Sequence, residues 1–225
     1  TNLSNSWLTL LVMPNSCFSF KQFTINQGKA SFRVGTDGVL LGAAADINGA
    51  IRILDIGTGT GLIALMLAQR CDAEIVAIEP DTDSYIQCCE NVSRSRWKGR
   101  IRVEHTTLQN FICDYKFDLI VTNPPFFTDS LKNPDPRKSA SRHNDLLSDN
   151  EILEGASRLM AEGGRLQVIM PYAEGNIFIA EAHKYGLYCN NILKIRPLPT
   201  SEVRRMILTF SKQRLNPTEK FLTIE

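Results

Sequence analysis

Apolar and polar positions change rhythm near residue 51 of the chain. Before it, residues 18–35 alternate as a strand surface does (Phe18, Phe20, Phe23, Ile25, then Phe32 and Val34), with Asn26-Gln27-Gly28 as a turn. Thr36-Asp37-Gly38 then precedes an apolar, Ala-rich run from Val39 to Ala45. A Thr or Asp in that place caps a helix, so a helix is expected to start there.

Beyond residue 51, short β-branched and apolar runs at 51–56, 74–79, 101–105, 117–122 and 164–170 predict strands. Helical segments at 62–68, 81–93, 149–160 and 173–185 alternate with them. Runs at 187–196 and 202–211 have no helix between them and are expected to pair antiparallel. The fold class is therefore α/β, a mostly parallel sheet with helices on both faces. No internal repeat or low-complexity tract is evident. The one long irregular stretch, 126–148, exceeds a plain connector and is a candidate functional loop.

Composition sets limits. The 225 residues are 43% hydrophobic and 22% charged, too apolar for a disordered chain and enough for a core without staples. Lys plus Arg is 25 against 24 acidic residues, which excludes a wholly basic, histone-like binder but not a local basic patch. Cys17, Cys71, Cys88, Cys89, Cys113 and Cys189 form no C-x-x-C pair, and His105, His143 and His183 are scattered. No metal site is expected from such spacing, and a reduced, cytoplasmic protein is. The apolar run from Trp7 to Met13 is too short for a membrane span. Residues 1–12 differ in character from the rest of the chain and are taken as an extension, with Met13 a candidate start. Residues 13–50 are expected to pack as a hairpin and helix on a catalytic domain of residues 51–225.

The glycine loop carries the first chemistry. Asp55-Ile56-Gly57-Thr58-Gly59-Thr60-Gly61 comes after a predicted strand and opens a helix. Glycines let a ligand approach the backbone. Glu79 ends the next strand, 22 residues after Gly57, where a carboxylate can accept from both hydroxyls of a ribose. Strand, glycines and spaced acid together predict an adenosine-containing cofactor. The spacing is G-x-G-x-G, and not the G-x-G-x-x-G of dinucleotide sites. It looks like the first motif of class I methyltransferases, whose S-adenosyl-L-methionine has no phosphate.

Asn123-Pro124-Pro125-Phe126 comes directly after the fourth predicted strand. Two prolines remove two backbone donors and fix two φ angles, making a stiff turn where α/β sheets place their chemistry. The tetrapeptide resembles the N-P-P-[YFW] signature of methyltransferases acting on adenine N6, guanine N2 or glutamine amide nitrogens. Such a nitrogen is a poor nucleophile because its lone pair is delocalised. The resemblance implies that the Asn123 side chain and the Pro124 carbonyl accept its N–H groups, and that Phe126 stacks on a flipped base.

Further segments, from Phe20 to about Ser211, resemble the bacterial tRNA1(Val) adenine-37 N6-methyltransferase family. They are Phe20 to Ile25, Val34 to Gly42 with its Thr36-Asp37-Gly38 turn, Asn91 to Ile101 with its Ser95-Arg96-Trp97 and Arg100-Ile101, Phe126-Phe127 with Arg142-His143, and Ile195-Arg196-Pro197 with Arg204-Arg205. The resemblance implies a Rossmann-like fold with a seven-stranded sheet, a C-terminal antiparallel hairpin and a small N-terminal β/α extension. It implies cofactor contacts from Thr36, Asp37, Gly38, Asp55, Gly57, Thr58, Gly59, Gly61, Glu79, Thr107, Leu108 and Asn123. Thr107 stands where the family often has Asp, and Arg96 replaces a usual Pro.

Basic residues are candidates for RNA phosphates: Arg94, Arg96, Lys98, Arg100 and Arg102, then Arg142 and His143, then Arg204 and Arg205. Phe126 and Phe127 are the aromatic candidates, while Trp97 reads as a packing residue. The expected partner is the anticodon loop of a tRNA, met by a monomer without metal or membrane. A release-factor glutamine enzyme, a guanine-N2 RNA enzyme and a silent RNA-binding fold stay open as alternatives.

Overall fold

The structure is a computed structural model that describes residues 16–30, 33–125 and 147–224. The extension at 1–12, Met13, Phe32, Phe126, Phe127, Arg137, Lys138, Arg142 and His143 lie outside the described residues.

The chain opens with β1 (Cys17–Ser19) and β2 (Thr24–Asn26), which pair antiparallel as a small sheet of their own. The reversal falls between Ser19 and Thr24 and not at the expected Asn26-Gln27-Gly28. Phe20 stacks on Phe23 with centroids 4.7 Å apart, an aromatic closure of the hairpin that wins over the Asn26-Gln27-Gly28 turn signal. Helix α1 (Thr36–Ala44) comes next. Its N-cap is Gly35, which has no side chain to cap with, and Asp37, inside the first turn, accepts from Arg205.

The βα rhythm then runs as expected through β3 (Arg52–Ile56), α2 (Leu62–Arg70), β4 (Glu74–Glu79), α3 (Thr82–Arg94), β5 (Ile101–His105) and β6 (Phe117–Thr122). After residue 146 come α4 (Asp149–Leu159), β7 (Met160–Pro171), α5 (Tyr172–Ala182), β8 (Tyr188–Arg196), β9 (Arg205–Ser211) and β10 (Thr218–Thr223). Asp81 caps α3 by accepting from the Ser84 N–H at 2.9 Å. Ser148 and Glu151 form a capping box at α4. The helix expected over 173–185 stops at Ala182 and tightens into a 3-10 turn, His183–Tyr185, before left-handed Gly186.

Among the described residues the main sheet has the order β10-β8-β9-β7-β6-β3-β4-β5. Strands β3 to β7 are mutually parallel, and β9 runs antiparallel between β7 and β8. The seven expected strands are joined by an eighth, β10, which pairs parallel to β8 at the rim. Its sequence, Thr-Glu-Lys-Phe-Leu-Thr, is mostly exposed and carries little apolar pattern.

Helices α1 to α3 cover one face over a core that includes Leu41, Ile53, Leu65, Ile75 and Trp97. Trp97 meets Phe23 edge-on at 5.8 Å, so it packs the N-terminal hairpin against the sheet. Helices α4 and α5 cover the other face over Leu54, Phe117, Ile152, Phe178 and Phe210. Asp118 accepts from the N–H groups of Ile51 and Arg52, both at 2.9 Å, fixing the start of β3 against β6. Strand order reverses between β3 and β6, which opens a crevice at their C-terminal ends.

Candidate functional site

The glycine loop sits at that crevice. Gly57, Gly59 and Gly61 have φ of 66°, 57° and 83°, the left-handed region that side chains disfavour. Added methyls on Gly57 and Gly59 would meet nothing within 4 Å, so their backbone borders open space. Gly61 is closed in: a methyl there would lie 2.8 Å from Cys88 Sγ. The N–H groups of Gly57 and Thr58 donate to the Ile78 carbonyl at 3.0 and 3.1 Å, holding the loop over β4.

Asp55 organises the loop from below. It is fully buried, and its Oδ2 accepts from Thr58 Oγ1 at 2.6 Å and from the Ala64 N–H at 3.1 Å. It thereby satisfies a donor in the first turn of α2 that a cap residue would otherwise serve. Its Oδ1 has no hydrogen-bond partner among the described residues. Burial pushes the carboxyl up to about 7, against those hydrogen bonds, which pull it down.

Glu79, only 7% exposed, reaches back to the loop. Its Oε2 accepts from the Gly59 N–H at 2.8 Å and its Oε1 from the Asp81 N–H at 3.0 Å. Burial raises its pKa as well, offset in part by those two bonds. Each carboxylate oxygen keeps lone-pair capacity for a further donor, which a ribose diol requires. The Thr106 N–H donates to the Glu79 carbonyl at 3.2 Å, so the turn after β5 adjoins the same place.

Asn123 comes directly after Thr122, whose Oγ1 donates to the Ile56 carbonyl at 3.0 Å and joins the ends of β6 and β3. Asn123 is half-buried, Pro124 buried and Pro125 exposed. A methyl on Gly38 would lie 3.8 Å from Asn123 Nδ2 and 3.0 Å from Leu62 Cδ2. The Thr36-Asp37-Gly38 turn, the Asn-Pro-Pro turn and the start of α2 therefore meet, although they are far apart in sequence.

Thr107 and Leu108, also expected at the cofactor, lie in the turn after β5. Thr107 Oγ1 accepts from the Asn110 N–H at 3.2 Å, capping its own turn. The Leu108 side chain is buried in the core, where a methyl on Gly155 would press on it at 2.6 Å, leaving its backbone as the part able to face a ligand.

Arg94, Arg96 and Lys98 are exposed, but they lie between the end of α3 and the start of β5, at the opposite edge of the sheet from Asn123. The separation is at least about 17 Å, the length of a strand such as β4. Arg100 donates to the carbonyls of Ala68, Cys71 and Ala73, and Arg102 to Tyr115 Oη and Glu104. Arg100 is thus tied into the fold, while Arg102 stays exposed on β5. Arg204 and Arg205 do stand at the edge that carries Asn123, since Arg205 pairs with Pro171 at the end of β7.

Asn91 heads the family-like segment that runs to Ile101, but no role was expected of it. Its Nδ2 donates to the carbonyls of Asn26 and Thr60 at 2.8 and 2.9 Å, and its Oδ1 accepts from the Asn26 N–H at 2.9 Å. One amide thus ties the N-terminal hairpin to the glycine loop. The signal that could have found it is polar residues (Ser84, Gln87, Asn91) at the helical spacing of the buried face of α3. The Cys88 thiol is pushed well up, by burial first and then by Asp55, so it is a packing group and not a nucleophile.

A cofactor with an adenosine and a cationic sulfonium suits this donor and acceptor set: a loop open on one side, a diol acceptor at Glu79, and a buried carboxylate beneath the loop. Among the described residues no three His, Cys, Asp or Glu converge to hold a metal, and no helix is long and apolar enough to cross a membrane.

Comparison with known proteins agrees with this geometry. A family model for the methyltransferase small domain matches residues 36–176. A relative from Trichodesmium erythraeum, named tRNA1(Val) (adenine(37)-N6)-methyltransferase, is 45% identical over 95% of this chain and 91% of its own. A relative of the same name from Phocaeicola vulgatus is 46% identical over 88% of this chain and 85% of its own. Among solved structures, a methyltransferase from Pyrococcus furiosus superposes with a TM-score of 0.59 at 21% identity, covering 82% of this chain and 85% of that one. A protein from Agrobacterium tumefaciens described as a predicted O-methyltransferase gives 0.62 at 22%, covering 84% and 87%. These structural likenesses support the fold alone. The chain belongs to the tRNA1(Val) (adenine(37)-N6)-methyltransferase family of class I S-adenosyl-L-methionine-dependent enzymes.

Proposed function

We propose that this enzyme methylates N6 of adenine 37 in the anticodon loop of tRNA1(Val), acting as a cytoplasmic monomer. The observation that carries the reading is the junction of the glycine loop, Glu79 and Asn123 at one sheet edge, in a chain with near full-length relatives of that name. The bound cofactor supplies an electrophilic methyl group. Glu79 accepts from the ribose hydroxyls, and the loop backbone borders the rest of the ligand. Asn123 Oδ1 and the Pro124 carbonyl accept the two N–H groups of the flipped adenine. That grip favours a pyramidal nitrogen whose lone pair points in line at the methyl. The stiff Pro-Pro turn keeps both acceptors in place through the transfer, so catalysis is positioning and electrostatics. Phe126 gives the base a face to stack on.

The N-P-P-F signature alone also suits a glutamine amide or a guanine N2. Incubation with unmodified tRNA, release factor and ribosomal RNA in parallel separates these. N6-methyladenosine in tRNA is expected. Methylglutamine or N2-methylguanosine as the main product contradicts the reading.

A further inference from the structure

We propose that Phe221, with Arg196 beside it, is a stacking platform for an unpaired RNA base on the outer strand of the sheet. It rests on the tRNA reading and adds where the loop beyond the target base is held.

Phe221 lies on β10, the outermost strand at that rim, and is 58% exposed. Its neighbour Leu222 packs with Leu193 against the core beneath α1 and α2. Phe221 stands on the opposite face, in register with Lys194. The Arg196 guanidinium lies 5.5 Å from the ring centroid and Lys194 Nζ 5.8 Å. The two cations differ. Lys194 is met by Glu219 at 2.7 Å. Arg196 has no carboxylate partner among the described residues, and its Nε donates to Thr223 Oγ1 at 3.2 Å. That bond aims the guanidinium and leaves its other N–H groups for a phosphate. A lone exposed phenyl is ordinary on any surface. A phenyl fixed on a strand beneath a guanidinium with N–H groups to spare is what splayed RNA bases select.

Position supports the assignment. Arg196 pairs with Thr223 at the edge of the sheet that also carries Arg204, Arg205 and Asn123. Strand β10 is four positions from β6, about 19 Å at the usual strand spacing, within the reach of a few extended nucleotides. A cleft of about 210 Å³ bounded by Asp37, Arg196, Arg204 and Arg205 lies between them. Arg205 is paired with Asp37 there, so Arg204 and Arg196 are the cations that edge offers a chain running from the target base to the ring.

The test uses Phe221→Ala and Phe221→Trp in the full chain. The alanine variant is expected to raise KM for unmodified tRNA by about five- to a hundredfold, with cofactor affinity and melting temperature unchanged. The tryptophan variant is expected to keep wild-type KM. Its additional fluorescence over the wild type should be quenched by the unmodified anticodon stem-loop and not by a blunt duplex. An unchanged KM in Phe221→Ala, or fluorescence indifferent to RNA, overturns the platform. If the wild type transfers no methyl to tRNA, the parent reading falls, and quenching by single-stranded RNA still decides the platform by its presence or absence.

Discussion

Asp37 and Arg205, 168 residues apart in the chain, form one ion pair in which Arg205 Nε donates to Asp37 Oδ2 at 2.9 Å. The pair fastens the first turn of α1 to the start of β9. Gly38, the next residue, lies against Asn123 and Leu62, so drift of this turn loosens the junction of cofactor and substrate sites. Both side chains are partly exposed, and such pairs contribute at most about 1 kcal/mol to stability. Arg205→Gln is therefore expected to shift the melting temperature little. It should raise cofactor KM and lower turnover by about three- to tenfold, and Arg205→Lys should recover part of the loss. Wild-type kinetics in Arg205→Gln would remove the positioning role.

Gly61 has a left-handed backbone and faces Cys88 Sγ at 2.8 Å from where a methyl would stand. Gly61→Ala incurs strain and overpacking together, roughly 2–4 kcal/mol. Cys88→Ala in the same chain relieves only the overpacking. Denaturant unfolding should give the double variant more stability than the sum of the single effects predicts. Strict additivity would mean that backbone strain alone sets the cost.

Asp55 gives the apo enzyme a pH signature. Its carboxyl has a reference pKa of 3.8 and is pushed up to about 7 in the fold, chiefly by burial. Between those values the folded state holds a proton that the unfolded chain has lost. Stability therefore falls as pH rises from about 4 to about 7 and then levels, by roughly 3–5 kcal/mol from this group. Glu79, also raised, adds a slope of the same sign that survives in a variant of Asp55. Urea unfolding at pH 5 and pH 8 should show the wild type losing more stability than Asp55→Asn. Equal losses would place the titration elsewhere.

Asn123→Ala separates binding from chemistry. Cofactor affinity should stay within about twofold, because Glu79 and the glycine loop are untouched. Turnover should fall by about 100- to 1,000-fold, the usual cost of one removed polar contact to the reacting group. Equal loss of cofactor binding would make Asn123 a structural residue.

The parallel core was legible because its signals are local. Ile53-Leu54 and Ile75-Val76 are buried on both faces and read as continuous apolar runs, and each glycine of the loop occupies a positive φ. The place of Glu79, at the end of β4 and bonded to the loop, was legible from the strand, the glycines and the spacing together. What the sequence concealed depends on partners far along the chain. Asp37 looks like a helix cap until Arg205 claims it. Arg100 looks like a phosphate ligand until backbone carbonyls at the end of α2 and in the connection to β4 claim it. Asn91 heads a family-like segment, yet nothing local names its partners, Asn26 and Thr60. Strand β10 lacked a pattern because a rim strand need bury only part of one face.

The central claim is the target atom. Labelled S-adenosyl-L-methionine is offered to an unmodified tRNA1(Val) transcript and to one whose adenine 37 is replaced, and product nucleosides are identified by mass spectrometry. The account predicts N6-methyladenosine in the first and none in the second. Equal labelling of both transcripts, or no label in either while the cofactor still binds, contradicts it.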